Sequence, residues 1–252
     1  MRTWSALLCA VVVLAGAGCS HPASPISSVG TTAPSSPAPI DAAGQPIVRP
    51  SCAEPGDGRY LHATGSTGLT PVLLLGTGPR GVVVGAQANG DICQLLPYGR
   101  VLAGKGYHVA VFDWTQPYAE AMATAAQALL ADGAAKVVLG GFSRGALVGL
   151  GIAPTLGPQV VGVFSVSGGP SAVEGFPTVA SLSAYRGPIL LVSSVDDAVF
   201  PSGTSAAIAA AHAGAETVLL VPGSAHALAL LSDPEGGRVQ AAIDRFLAQA
   251  LP

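Results

Sequence analysis

The side chain with the clearest chemical potential is a serine at the joint between a predicted strand and a predicted helix. Ser143 follows the Val-rich run Lys136–Gly140 and lies in a Gly-x-Ser-x-Gly pattern, with Gly141 and Gly145 on either side. A sharp turn at such a joint lifts a serine above the sheet, where side chains at the two glycine positions would collide. In a chain with 33 glycines an ordinary turn serine could also satisfy the pattern. The position between strand and helix favours a nucleophile.

Further side chains with catalytic chemistry follow two of the predicted strands. Asp196 and Asp197 come after Ile189–Ser193, and His226 comes after Val218–Val221. Parallel sheets place their sites beyond the carboxyl ends of the strands, so these groups are expected near Ser143. In such a set a histidine activates a serine hydroxyl and a carboxylate orients the histidine. The other histidines are weaker candidates by position, in the N-terminal segment, in strands or at a helix end: His21, His62, His108 and His212.

The elements that must position these residues are short aliphatic runs alternating with Ala-rich stretches. The runs lack polar alternation, as expected of strands buried on both faces of a parallel sheet. They predict eight strands, at Leu61–Thr64, Val72–Leu75, Val82–Ala86, His108–Asp113, Lys136–Gly140, Val160–Val166, Ile189–Ser193 and Val218–Val221. Helices are predicted at Leu96–Lys105, Pro117–Asp132, Arg144–Thr155, Thr204–His212 and Glu235–Ala250. This alternation predicts an α/β fold with a mostly parallel, doubly wound sheet of about eight strands and helices on both faces.

Three motifs together resemble the α/β-hydrolase family, over roughly Pro71 to Pro252. They are the turn Gly141–Gly145, the Asp-x-x-Phe-Pro run Asp197–Pro201 and the Gly-x-x-His run Gly223–His226. The order Ser, Asp, His is also that of the family. The resemblance implies a serine hydrolase of the dienelactone hydrolase and esterase type. Only Gly168–Gly187 separates the two strands between which the family commonly inserts a lid, so no large lid is expected.

The resemblance assigns a catalytic role to each of the three side chains. Ser143 is the nucleophile, and His226 takes its proton and later returns it to the leaving group. Asp197 holds the imidazole, and it is preferred because it stands four residues before Pro201, as the family's acid commonly does. Asp196 is the alternative acid.

The resemblance also implies two backbone N–H groups that stabilise an oxyanion. The first belongs to Arg144, the residue after the nucleophile. The second normally follows the strand Val82–Ala86, where the family often has His-Gly, but this chain has neither residue there. Gln87 and Ala88 therefore both remain candidates. For the side chain of Arg144, an ion pair supporting the turn is favoured over binding of a substrate carboxylate.

A carboxylic-ester hydrolase acting through an acyl-enzyme is the activity that the resemblance implies. An uncovered site suits small esters or the exposed face of a polymer or a lipid. The same three residues serve lipases, thioesterases, acyltransferases and peptidases. A non-catalytic cell-envelope binding protein on a hydrolase scaffold is the alternative from another class.

The composition excludes several other classes of protein. The formal net charge is −3 and the chain has no basic stripe, so it lacks the clustered cations of a nucleic-acid binder. Glycines and prolines, 33 and 21 of them, interrupt every long run and exclude a coiled coil. No cofactor is expected, because the chain has no phosphate-binding Gly-Lys-Ser/Thr loop. No metal site is expected, because no His, Cys and Asp cluster has ligand spacing.

The N-terminus has the pattern of an exported protein. Residues 1–18 carry one cation, Arg2, and then an apolar run too short to cross a bilayer, as in a signal peptide. Small residues before Cys19 resemble the bacterial lipoprotein cleavage site, which implies lipid on Cys19 and a membrane anchor. Gly16 departs from that pattern, and ordinary cleavage with release is the alternative. Residues 19–50 are rich in Pro, Ser and Ala and predict a tether, followed by a hydrolase domain over 51–252.

The remaining cysteines agree with export. Cys9 leaves with the signal peptide, and Cys52 and Cys93 are predicted to form a disulfide in an oxidising compartment. Two free buried thiols are the alternative.

Overall fold

A single eight-stranded sheet runs through the computed structural model, which describes residues 40–169 and 182–252. Its strands are β1 Arg59–Thr64, β2 Leu69–Leu75, β3 Arg80–Gly85, β4 His108–Phe112, β5 Lys136–Phe142, β6 Val160–Val166, β7 Ile189–Ser194 and β8 Glu216–Val221. Their order across the sheet is β1-β2-β4-β3-β5-β6-β7-β8. Strand β2 runs antiparallel to β1 and β4, and all other pairs are parallel. The predicted α/β class with a mostly parallel sheet is confirmed.

Five helices of the described residues cover the two faces of this sheet. They are α1 Ile92–Gly104, α2 Tyr118–Ala131, α3 Arg144–Ile152, α4 Gly203–Ala211 and α5 Gly236–Ala250, with short 3-10 turns at Pro55–Asp57, Ala153–Thr155 and Ala227–Leu231. Helices α1 and α5 pack on one face, and α2, α3 and α4 pack on the other. Alternate residues of a strand point to opposite faces, so each strand contributes to both cores. Leu73 and Val84 lie in one core, and Leu74 and Val83 in the other.

Helix α1 begins four residues before the predicted start at Leu96. Asp91 caps it, because its Oδ1 accepts the N–H of Gln94 at 2.8 Å. Pro97 lies inside the helix, where the cap and a buried apolar face outweigh the hydrogen bond that proline cannot donate.

The segment that precedes the sheet contacts the rest of the domain at several points. A disulfide joins Cys52 to Cys93 in the first turn of α1, as predicted, with the two Cα atoms 5.6 Å apart. Residues 40–50, assigned from sequence to the tether, also contact the domain. Asp41 accepts a hydrogen bond from His62 on β1 at 2.7 Å, and the guanidinium of Arg49 donates to the carbonyl of Glu54 at 2.8 Å.

Two sets of sequence predictions concern residues outside the described ranges. The signal peptide over 1–18, Cys19 and His21 lie before residue 40. The link between β6 and β7 is described at 167–169 and 182–188 only. Its short length leaves no room for a separate lid domain. Within residues 40–169 and 182–252, no helix combines the length and apolar character needed to cross a bilayer.

Candidate active site

The turn that carries Ser143 is a strained joint between β5 and α3. Ser143 has φ 51° and ψ −108°, a combination that residues with side chains seldom adopt, and it is 8% exposed. Its N–H donates to the carbonyl of Val166, the last residue of β6, at 2.9 Å. Strained backbone of this kind persists where surrounding contacts enforce it, as they do at functional sites.

The two glycines of the pattern are required by contacts between backbones. A Cβ on Gly145 would lie 2.0 Å from the carbonyl oxygen of Gly85 at the end of β3. A Cβ on Gly141 would lie 2.5 Å from the backbone of Gly145. The obstacle is therefore the close approach of α3 to β5 and β3, whereas sequence reasoning expected the two side chains to collide with each other. The N–H of Gly145 uses this approach to donate to the carbonyl of Ala86 at 3.0 Å.

A histidine and a carboxylate pair at the same edge of the sheet. His226 Nδ1 and Asp197 Oδ2 are 2.8 Å apart, and the other oxygen of Asp197 accepts the N–H groups of Val199 and Phe200 at 2.9 and 3.0 Å. Asp197 is 2% exposed, whereas Asp196 points into solvent. Of the two candidate acids, Asp197 is the one that contacts the imidazole.

The hydrogen bonds of Asp197 determine its protonation state. Burial by itself raises the pKa of this carboxyl, but the bonds from His226, Phe200 and Val199 outweigh burial and hold the pKa below its ordinary value. An ionised Asp197 requires a proton on Nδ1 of His226, so Nε2 is left to exchange a proton with a substrate or a nucleophile. The ring of Phe200 stacks on the imidazole with centroids 6.1 Å apart.

The candidate nucleophile and the candidate base are not hydrogen-bonded to each other. In the described chain no hydrogen bond links Ser143 Oγ to the ring of His226. Both residues follow strands of one parallel set, Ser143 after β5 and His226 after β8. Such bonds are often long without substrate and shorten when it binds.

The other histidines of the described chain lie in different surroundings. His62 pairs with Asp41 at 2.7 Å, and His212 contacts the carbonyl of Gly187 at 2.9 Å. His108 is fully buried at the amino end of β4, 3.1 Å from Asp132. None of these three has a hydrogen bond to Ser143 or Asp197 in the described chain.

Backbone N–H groups at this edge of the sheet belong to two elements, the turn that follows β3 and the first residue of α3. Residues 87–90 form a turn closed by a 3.0 Å bond from Gly90 N–H to the carbonyl of Gln87, with Asn89 at φ 61°. The N–H groups of Gln87, Ala88 and Arg144 have no bonded acceptor among the described residues. All three predicted donors thus remain available to an oxyanion.

A cleft of about 340 Å³ opens beside the turn, with Arg144 on one wall. The ion pair favoured from sequence is not among the described contacts. The guanidinium instead lies over the ring of Tyr118, 4.2 Å from its centroid. Asp91 and Asp113 also line the cleft. Asp91 accepts the N–H of Gln94, and Asp113 accepts the N–H of Ile92, each at 2.8 Å. Burial raises the pKa of Asp113.

Three aromatic side chains close to the catalytic candidates have different positions. Phe142 is fully buried and packs on Tyr98 and Phe164, so it belongs to the core. Trp114 lines the cleft, and Phe200 covers the imidazole.

Sequence reasoning did not identify two buried serines beside the base. Ser167 and Ser194 contact the loop that carries His226. Their only sequence signal is a polar residue at the end of an aliphatic strand, which does not reveal the partner. In the described part of the chain no three His, Cys, Asp or Glu side chains are grouped to hold a metal ion.

One family model matches part of the chain. Residues 118–229, less than half of the chain, match the family model described as phospholipase/carboxylesterase. No curated protein sequence matches the chain. The eight-stranded sheet with its helices is the α/β-hydrolase fold, as the sequence motifs predict.

Solved structures with this fold are similar over most of the domain. A monoacylglycerol lipase of Paleococcus ferrophilus has a TM-score of 0.61 at 16% identity, covering 72% of this chain and 99% of that one. A dienelactone hydrolase-like promiscuous phosphotriesterase from metagenomic libraries has 0.64 at 19% identity, covering 77% and 98%. A putative dienelactone hydrolase of Klebsiella pneumoniae has 0.65 at 15% identity, covering 75% and 96%. At these identities the likeness establishes the fold.

Proposed function

We propose that this protein is a carboxylic-ester hydrolase that works through an acyl-enzyme on Ser143, with His226 as base and Asp197 as its orienting acid. The observation that carries the proposal is the Asp197–His226 hydrogen bond, at the same sheet edge as the strained turn of Ser143. The match of residues 118–229 to phospholipases and carboxylesterases supports an ester as substrate.

The first half of the proposed reaction transfers the acyl group to the enzyme. His226 Nε2 takes the proton of Ser143, and Oγ bonds to the carbonyl carbon of the ester. The N–H of Arg144 and that of Gln87 or Ala88 stabilise the oxyanion. The carbon–oxygen bond to the alcohol then breaks, and the alcohol leaves with the proton held by His226.

The second half releases the acid. Water gives a proton to His226 and adds to the acyl carbon, and the bond from that carbon to Ser143 Oγ then breaks. The proton returns to Ser143, so the enzyme is regenerated. Transfer to another hydroxyl instead of water would make the protein an acyltransferase, and a thioester or a peptide could replace the ester with the same residues.

The test of this function is hydrolysis of p-nitrophenyl esters from acetyl to palmitoyl. We expect turnover, with an optimum that separates an esterase for short acyl chains from a lipase-like groove. An inactive wild-type chain on every ester would overturn the hydrolase proposal and favour the envelope-binding alternative. Release of nitrophenol only when an acceptor alcohol is added would favour acyl transfer.

The guanidinium N–H groups of Arg144 lead to a prediction about the substrate. The face of its guanidinium lies over the ring of Tyr118, and within the described residues its N–H groups have no hydrogen bond or ion pair. Asp91 and Asp113 of the same cleft each accept one backbone N–H on Oδ1. The planar N–H groups of Arg144 can bind a carboxylate or phosphate of the substrate. For Arg144→Gln we expect kcat/KM for p-nitrophenyl hemisuccinate to fall about tenfold or more, and that for the neutral butyrate ester to change little.

A second stacked arginine provides the control for this comparison. Arg80 lies 5.0 Å over the ring of Tyr107 and bonds to the carbonyl of Gly106, in a different cleft from Arg144. Arg80→Gln should leave the ratio between the two esters unchanged. The same ratio in Arg144→Gln and wild type would show that Arg144 does not select the substrate.

We further propose that the protein is exported and anchored to the outer face of the bacterial cell membrane through lipid on Cys19. The signal-like residues 1–18 and the small residues before Cys19 support this location. The full-length chain should enter the detergent phase of a Triton X-114 extract, with a lipid mass on the peptide that begins at Cys19. Cys19→Ala should move the protein to the aqueous phase. An unmodified Cys19 in a secreted wild-type chain would contradict the anchor.

A further inference from the structure

Two serine hydroxyls that take no part in the proposed reaction contact the loop that carries His226. Ser194, the last residue of β7, donates its hydroxyl proton to the carbonyl of Ala225 at 2.6 Å. Ser167, just after β6, accepts the N–H of Ala227 on its Oγ at 3.0 Å. Both serines are fully buried. The backbone is therefore held by a side chain at the residue before the histidine and at the residue after it.

Ser167 also links this loop to the turn of the nucleophile. Its neighbour Val166 accepts the N–H of Ser143 at 2.9 Å, and Ser167 itself donates its N–H to Val192 of β7 at 2.8 Å. Residues 166 and 167 thus contact the backbone at the nucleophile and the backbone beside the base. Ser167 and Ala227 have φ 52° and 55°, so both ends of this hydrogen bond lie in the left-handed region.

The same two serines also lie close to Asp197, the orienting acid. The carbonyl of Ser194 lies 3.5 Å from the N–H of Asp197, at the start of the turn that carries the acid. The hydroxyl of Ser167 is also one of the groups that lower the pKa of the Asp197 carboxyl. A hydroxyl has one proton to donate and two lone pairs, so Ser167 can serve Asp197 and Ala227 together.

We propose that Ser167 and Ser194 are positioning residues, two buried hydroxyls that fix the direction of His226 toward Ser143 by holding the loop on both sides. This inference rests on the proposed function. Neither serine touches the reacting atoms in it. A small displacement of a catalytic group reduces the rate of the chemical step while leaving substrate binding nearly intact.

The test compares Ser167→Ala and Ser194→Ala with a matched neighbour, Ser193→Ala. Ser193 is equally buried, but its hydroxyl bonds to that of Ser205 at 2.6 Å and does not contact the histidine loop. We expect kcat on p-nitrophenyl esters to fall roughly 10- to 100-fold in each of the first two variants, with KM within about threefold of wild type. Ser193→Ala should keep kcat within about twofold.

Two hydroxyl-specific variants separate positioning from folding and strain. Ser194→Thr keeps the hydroxyl and should retain most of kcat, which also preserves the test if an alanine variant does not fold. Ser167→Gly removes the hydroxyl while accepting the positive φ, and it should lose as much as Ser167→Ala. Restored activity in Ser167→Gly would show that backbone strain, and not the hydroxyl, was the cause. Equal kcat in Ser167→Ala, Ser194→Ala and Ser193→Ala would overturn the proposal.

A further readout distinguishes the clamp formed by the hydroxyls of Ser167 and Ser194 from a general loss of stability. Amide hydrogen exchange at Ala227 should accelerate in Ser167→Ala only. If the wild type hydrolyses no ester, the proposed function fails, and unchanged exchange at Ala227 would separately show that the clamp does not exist.

Discussion

Replacing Ser143 by alanine is expected to lower kcat on p-nitrophenyl esters by about four to six orders of magnitude. The substitution removes the atom that forms the acyl bond, and water cannot take its place on the strained turn with the same geometry. Binding should survive, because the cleft beside Arg144 and the backbone donors do not depend on the hydroxyl. The residual rate reports what the oxyanion donors and binding contribute without a nucleophile.

A buried serine close by is the control for this result. Ser165 on β6 is 1% exposed, and its hydroxyl has no partner among the described residues. Removing an unsatisfied buried hydroxyl costs little and can stabilise a protein, so Ser165→Ala should keep full activity. A Ser143→Ala variant with more than a few per cent of wild-type activity would contradict a serine nucleophile.

Asp197→Asn should lower kcat by about 10⁴, the second largest effect expected. The amide keeps the size and the contact with His226, but it offers a donor where Nδ1 also has a donor in the active tautomer. The ring would then carry its proton on the wrong nitrogen, and Nε2 could not accept the proton of Ser143. The bonds from the N–H groups of Val199 and Phe200 require only one side-chain oxygen, so the turn should remain folded.

The adjacent carboxylate provides the matched comparison. Asp196 is exposed, and among the described residues it bonds only through its backbone N–H, to the carbonyl of Gly223 at 3.0 Å. Asp196→Asn should therefore keep kcat within about twofold of wild type, as surface substitutions usually do. Equal losses in the two variants, or a larger loss at Asp196, would reject Asp197 as the orienting acid.

The parts of the fold that could be predicted from sequence are those with local signals. All eight strands are recognisable, and the inner ones most clearly, because a strand buried on both faces becomes a continuous run such as Val82–Val83–Val84. Most residues of the edge strands β1 and β8 are partly or fully exposed. The turn at Ser143 is recognisable for a similar reason, since three backbones meet there and only glycine fits at 141 and 145. The order of the strands across the sheet follows from neither signal and required the structure.

The parts of the site that sequence did not reveal depend on contacts between distant residues. Ser167 and Ala227 are 60 positions apart, and no local pattern marks the hydroxyl of one as the acceptor of the other. The contact of Arg144 with Tyr118 could not be predicted either. An arginine can pair with a carboxylate or stack on an aromatic ring, and the local sequence does not distinguish the two. The choice between Asp196 and Asp197 also became clear only from burial and direction.

The most direct measurement of the central claim is the mass of the wild-type protein after reaction with a fluorophosphonate, followed by peptide mapping. Such a probe bonds to a serine oxygen only when a base has activated it. The account predicts one adduct per chain on the peptide that contains Ser143, and none on Ser143→Ala. A folded wild-type chain that takes no label, or a label that persists in Ser143→Ala, would contradict the assignment of Ser143 as an activated nucleophile.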